Sequence, residues 1–115
     1  MNVLNEPSLD DTVLSALKEA TEEMFAEIIE AYLEDTPKRL ILLLNAFEEN
    51  NIKAIQEESH CLKGSSGNIG ALKLSKICEE IELQSRGGSI TIQKEYVQHA
   101  FSEFDHIKKK LADLI

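Results

Sequence analysis

Apolar side chains recur along this chain at intervals of three and four, the spacing that lines one face of an α-helix. No stretch alternates apolar and polar residues as a half-buried strand would. Ser8 with Asp11 three residues later resembles a capping box and predicts a short first helix over about residues 9–20. Thr21, followed by Glu22 and Glu23, opens a second helix with the stripe Met24, Phe25, Ile28, Ile29, Tyr32 and Leu33. Pro37 follows, and proline fits a helix best in its first turn, so a break is expected there. A kinked continuous helix is the alternative. The next stripe is Leu40, Ile41, Leu43, Leu44 and Phe47, ending near Asn50-Asn51.

Asn51 can cap a helix over about residues 52–67. After Asn68-Ile69-Gly70, another helix covers about residues 71–86, with Leu74, Ile77, Cys78 and Ile81 on one face and Gly87-Gly88 ending it. A last helix from about Thr91 lines up Val97, Ala100, Phe101, Phe104, Ile107, Leu111 and Leu114. Helices on such short connections can bury their stripes only against one another. The predicted fold is therefore all-α: an antiparallel four-helix bundle with an additional short N-terminal helix. No repeat or linker marks a second unit, so residues 1–115 are expected to form a single domain.

Composition narrows the function classes. The 115 residues carry a formal net charge of −9 and a pI near 4.8, so the molecule should repel nucleic acid and anionic membranes. Aromatics are 5% and Trp is absent, which removes a base-stacking platform. No apolar run reaches the roughly 18 residues of a membrane span, and no signal segment opens the chain. Two cysteines, Cys61 and Cys78, make no disulfide framework, and a cytoplasmic location with reduced thiols is expected.

The chemistry concentrates between residues 58 and 71. At about 100° per residue, Ile52, Ile55, Ser59, Leu62, Ser66 and Ile69 share one stripe, while His60 points roughly 130° away from its centre. His60 is thus expected on an exposed flank. Lys63 and Gly64 lie one turn after it, Gly67 two turns after it and Gln56 one turn before. Glycine inside a helix costs about 1 kcal/mol relative to alanine. Two of them beside an exposed histidine imply clearance for a docking surface. Lys63 is a cation suited to offset anionic charge on His60. A neutral, unpaired imidazole is a competent nucleophile. Together these features describe a phosphoryl acceptor, since phosphoryl transfer needs positioning and charge stabilisation more than covalent machinery.

His60-Cys61-Leu62-Lys63-Gly64-Ser65-Ser66, followed by Gly70-Ala71 and Leu74, resembles the H-x-L-K-G-S-S/A-x-x-x-G-A signature of histidine-containing phosphotransfer (HPt) domains. The likeness extends over nearly the whole chain, with an acidic amphipathic pair of helices before the motif and two helices after it. It implies a four-helix-bundle phosphorelay intermediate without kinase activity. His60 would accept a phosphoryl group from the aspartate of a response-regulator receiver domain and pass it to another. Lys63 would balance the phosphate, Gly64 and Gly67 would leave docking room, and Gln56 would hydrogen-bond near the imidazole. The implied partners are receiver domains and a hybrid sensor histidine kinase. The chain itself is expected to be a monomer without metal or cofactor, the divalent metal belonging to the receiver.

Simpler readings account for the remaining residues. His99 and His106 fall on similar faces of the last helix and read as surface positions. Cys78 reads as a small core residue and Ser66 as a small stripe residue allowing close packing. The run Lys108-Lys109-Lys110 reads as a solvated helix end. A histidine-kinase dimerisation segment would want an acid where Cys61 stands and a nucleotide-binding domain besides. A passive helical adaptor using the same surface is the alternative; it would leave the Lys63-Gly64 pair without a purpose. The charge is uneven: residues 1–59 hold 14 acids and 4 bases, residues 60–115 hold 7 acids and 8 bases. The motif therefore sits at the edge of a near-neutral half in which Lys63, Lys73 and Lys76 come first.

Overall fold

The computed structural model describes residues 5–87 and 94–115. Its helices are α1 (Asp11–Thr21), α2 (Phe25–Glu48), α3 (Ile52–Asn68), α4 (Leu72–Ser85) and α5 (Lys94–Ala112), with a 3-10 turn over Glu22–Met24 between the first two. The α3 helix lies between α2 and α4, and α5 closes the ring against both. Three-residue connections before and after α3 force antiparallel neighbours. Ile29, Leu43, Ile55, Leu62, Leu74, Ile81, Val97, Ile107 and Leu111 are fully buried between the four helices. Each contributes about 1.5–3 kcal/mol by leaving water. This is the all-α four-helix bundle with a short additional N-terminal helix read from the sequence.

Several local expectations are corrected. Asp10, not Ser8, caps α1: its carboxylate accepts from the Thr12 and Val13 amides at 2.8 and 3.2 Å. Thr21 does not cap a helix, because its hydroxyl donates back to the Leu17 carbonyl at 2.7 Å. The break comes at Glu22, whose φ is 47°. The α2 helix runs through Pro37 without ending. An interior proline removes one helical hydrogen bond and costs about 3 kcal/mol. Tyr32, Thr36 and Leu40, buried on either side of it, hold the helix together across that gap. Met24, Ile41 and Leu114, expected on apolar stripes, are exposed at 59%, 51% and 45%. Gly88 and Thr91, the expected stop and start before α5, lie outside the described residues.

The segment ahead of α1 is tied across the turn between α3 and α4. The Asp10 amide donates to the Gly70 carbonyl at 2.8 Å, and the Lys73 amide donates to the Pro7 carbonyl at 3.0 Å. Gly70 has φ +80°, and a Cβ there would stand 3.0 Å from the Asp10 carbonyl oxygen and 3.1 Å from Val13. Only glycine fits both the backbone and the space.

Candidate functional site

The α3 helix begins where the Asn51 side chain accepts from the Ala54 amide at 3.1 Å, as the sequence indicated. Its inner face is Ile55, Ser59, Leu62 and Ser66, all buried. That register turns His60 outward, and its side chain is 65% exposed. The imidazole is nevertheless held. Its Nδ1 lies 2.8 Å from Glu82 Oε2 on α4. The expectation of an unpaired ring is corrected on this point, because α4 packs along α3 and carries an acid at the same height.

Glu82 is the centre of the site. Its side chain is only 6% exposed, yet three cationic or donor groups converge on it. Lys63 Nζ donates to Oε1 at 2.7 Å, and the Arg86 guanidinium donates to Oε2 at 3.2 Å. Burial alone would raise this carboxyl, but the hydrogen bonds from Lys63 and then His60 outweigh it and hold it below the usual carboxylate range. A buried acid without such partners would be strongly unfavourable. An ionised carboxylate can only accept, so the Nδ1–H of His60 must be the donor. The neutral ring then carries its lone pair on Nε2, the nitrogen not engaged by Glu82.

The glycines behave differently. A Cβ on Gly64 would meet nothing within 4 Å, so the surface beside His60 is open there. A Cβ on Gly67 would touch Ser75 Oγ of α4 at 3.4 Å, an ordinary contact. Gly67 gives its room to helix packing, where the Ser75 hydroxyl donates to the Lys63 carbonyl at 2.9 Å, and not to a docking partner. Gln56 also departs from expectation. Its amide nitrogen donates to the Ser85 carbonyl at 3.1 Å, tying α3 to the end of α4 instead of reaching the imidazole.

The structure thus brings together His60, Lys63 and Gly64, and adds two residues the sequence reading missed, Glu82 and Arg86. A signal existed for Glu82: it follows Ile81 and stands four after Cys78, so an acid sits at the margin of a core stripe and requires a partner on a neighbouring helix. Arg86, four residues further on, is spaced to pair with it. Lys76, one of the lysines near the motif, is bound to Glu79 at 2.7 Å. His99 and His106 are exposed on α5, the latter 3.2 Å from Lys110 Nζ. Cys78 is fully buried, and that burial pushes its thiol up to about 12. Cys61 is exposed beside His60. No helix among the described residues is long and apolar enough to cross a membrane.

On the other side of α3 lies an open groove lined by Ile28, Ala31, Tyr32, Asp35, Ser65, Asn68 and Ile69. Tyr32, which lines it, shares a buried hydrogen bond of 2.8 Å with the Ser66 hydroxyl.

Comparison with known proteins follows the same lines. Residues 27–115 match the family model of the Hpt domain. The phosphorelay intermediate protein rdeA of Dictyostelium discoideum is 26% identical over 104 residues, covering 90% of this chain and 41% of that protein. Multistep phosphorelay regulator 1 of Schizosaccharomyces pombe is 30% identical over 98 residues, 82% of this chain and 33% of that one. The chain therefore spans less than half the length of these two curated relatives. The crystal structure of histidine-containing phosphotransfer protein B from Pseudomonas aeruginosa superposes with a TM-score of 0.89 at 28% identity, covering 93% of each chain.

Proposed function

The chain belongs to the Hpt domain family, and from that premise we propose that it carries a phosphoryl group between the aspartates of receiver domains in a multistep phosphorelay, on His60 Nε2. The observation that carries the reading is the bond from His60 Nδ1 to the buried Glu82 carboxylate, which leaves Nε2 as the basic nitrogen on an open surface. In the forward step the Nε2 lone pair attacks the phosphorus of a receiver's aspartyl phosphate. The aspartyl O–P bond breaks and its electron pair stays with the aspartate. A divalent metal on the receiver would offset charge on the phosphoryl group, while this chain supplies nucleophile, orientation and cations. Lys63 and Arg86 are the cations at hand, both within hydrogen-bond distance of Glu82. The open space at Gly64 supports close approach of a receiver to the ring.

On this reading the chain is a phosphocarrier without kinase activity, a cytoplasmic monomer that meets receiver domains and a hybrid sensor kinase in turn. Incubation with a phosphorylated receiver should label it with an acid-labile, base-stable phosphate. His60→Gln should lose that label while keeping the helical circular-dichroism spectrum. A fully labelled His60→Gln variant, or an acid-stable label, overturns the assignment.

A further inference from the structure

Resting on the phosphocarrier reading, we infer that Glu82 acts on the phosphorylated state as well as on the free ring: it retains the proton on Nδ1 and so keeps the phosphoryl group transferable. When Nε2 bonds to phosphorus, both ring nitrogens are substituted and the imidazole becomes a cation with its proton on Nδ1. If that proton stays, the next transfer expels neutral imidazole, whose lone pair returns to Nε2. If it is lost to water, the same transfer must expel an imidazolide anion, a far poorer leaving group.

The geometry favours retention. The Nδ1 proton faces Glu82 Oε2 at 2.8 Å; the ring is 65% exposed and its charge is partly screened, but the carboxylate is only 6% exposed, so little water competes with Nδ1–H for that oxygen. Besides the ring, two cationic side chains bond this carboxylate. From α3 comes Lys63, on the other carboxylate oxygen; from α4 comes Arg86, on the same oxygen at the longer distance of 3.2 Å. Toward α2, Arg39 is bound to Glu58 of α3 at 2.9 Å and to Asp35 at 3.2 Å. With the proton kept, Glu82, Lys63, Arg86, the imidazolium and a doubly charged phosphoryl group form a neutral cluster. Without it the cluster carries an excess negative charge, with one carboxylate oxygen turned toward a bare nitrogen lone pair. Glu82 is therefore a positioning residue that sets the reactivity of phosphohistidine through the far side of the ring.

The test uses phosphoramidate, a small phosphodonor that needs no receiver, and follows decay of the phosphohistidine 31P signal from pH 6 to pH 10. The His60→Gln variant identifies the signal. In wild type and Glu82→Gln the decay should slow as pH rises through loss of the Nδ1 proton. The amide oxygen introduced by Glu82→Gln can still accept from Nδ1, but the carboxylate's charge is gone. The midpoint in Glu82→Gln should lie lower by about one to two pH units, the size of shift an adjacent opposite charge produces. Between the two midpoints, wild type should lose phosphate roughly tenfold faster for each unit of separation. Independently of any variant, the 15N shift of Nδ1 in phosphorylated wild type should report a protonated nitrogen at neutral pH. Coincident pH profiles, or a deprotonated Nδ1 in the phosphorylated wild type, overturn the inference while leaving the carrier reading intact. Failure of wild type to form any phosphohistidine overturns both.

Discussion

The two sides of α3 solve different problems. Toward α4 the helix places His60 and Lys63 on a buried carboxylate, a charged cluster in which one ring nitrogen stays outside the network. Toward α2 it places Ser66 against Tyr32 in a buried bond of 2.8 Å, where each hydroxyl partners the other. Burial pushes the Tyr32 phenol well above its ordinary range, so that pair remains neutral and contributes only to packing. The α4 side gathers its charge on one buried carboxylate and leaves a nitrogen free to react; on the α2 side the buried pair is neutral, and the ion pair of Arg39 with Glu58 lies nearer the surface. The difference separates chemistry from stability within a single helix, and substitutions on the two faces should report on them separately.

The largest effects come from two positions within one turn of α3, Leu62 and His60. Leu62 is fully buried. Leu62→Ala should cost about 2–5 kcal/mol, through lost transfer energy and the cavity left behind. That should appear as a lower denaturant midpoint, with His60 still labelled at temperatures where the variant is folded. His60→Gln should do the reverse, abolishing labelling with little change in midpoint, since the ring is largely exposed. A His60→Gln variant as unstable as Leu62→Ala would break the separation.

Acid should act mainly through the α4 side. Glu82 is held below the usual carboxylate range in the fold, whereas an unfolded glutamate titrates near about 4.3. Above that value both states are ionised and the stabilisation is fully present. As pH falls below it, the unfolded chain takes up the proton first, and the contribution disappears as pH drops through the folded value. The His60 and Arg86 contacts are solvent-screened at 65% and 62% exposure, so Lys63, at 29%, carries most of it. The stability gap between wild type and Glu82→Gln should therefore be largest at neutral pH and shrink toward pH 3. Urea unfolding of both proteins at several pH values measures it, and a gap independent of pH contradicts the ion-pair account.

How much of this was legible beforehand follows the same division. Periodicity identified the inner face of α3 residue by residue, because Ile55, Ser59, Leu62 and Ser66 obey one helical repeat that burial enforces. It also turned His60 outward and left Gly64 in open space. Periodicity names a face but not the neighbour it meets or at what height. Glu82 lies 22 residues from His60, and Gln56 meets the backbone of Ser85 instead of the ring; both facts depend on how α4 is set along α3. The expected break at Pro37 failed for a related reason. Local rules count the missing amide, while the buried residues on either side that outweigh it belong to tertiary packing. The cap at Asp10 in place of Ser8 shows the ordinary uncertainty of a helix end by a residue or two.

The smallest and most discriminating effects belong to Gly64 and Gly67, one turn apart on α3. Both are glycines inside a helix, so replacing either by alanine should gain up to about 1 kcal/mol from backbone propensity alone. At Gly67 the new methyl meets Ser75 Oγ at ordinary contact distance, so Gly67→Ala should raise stability slightly and leave receiver transfer unchanged. At Gly64 the added group enters open space, so the fold should tolerate larger residues too. Gly64→Gln should keep its helical signal and its labelling by phosphoramidate. It should lose roughly tenfold or more in transfer from a receiver that labels wild type, because displacing the incoming phosphorus by an ångström is enough to spoil in-line attack. Comparing the two donors on the same variant separates obstruction of a protein partner from damage to the imidazole. Equal losses with both donors would place Gly64 in the chemistry of the ring instead of the approach to it, and unchanged transfer from the receiver would remove the clearance argument.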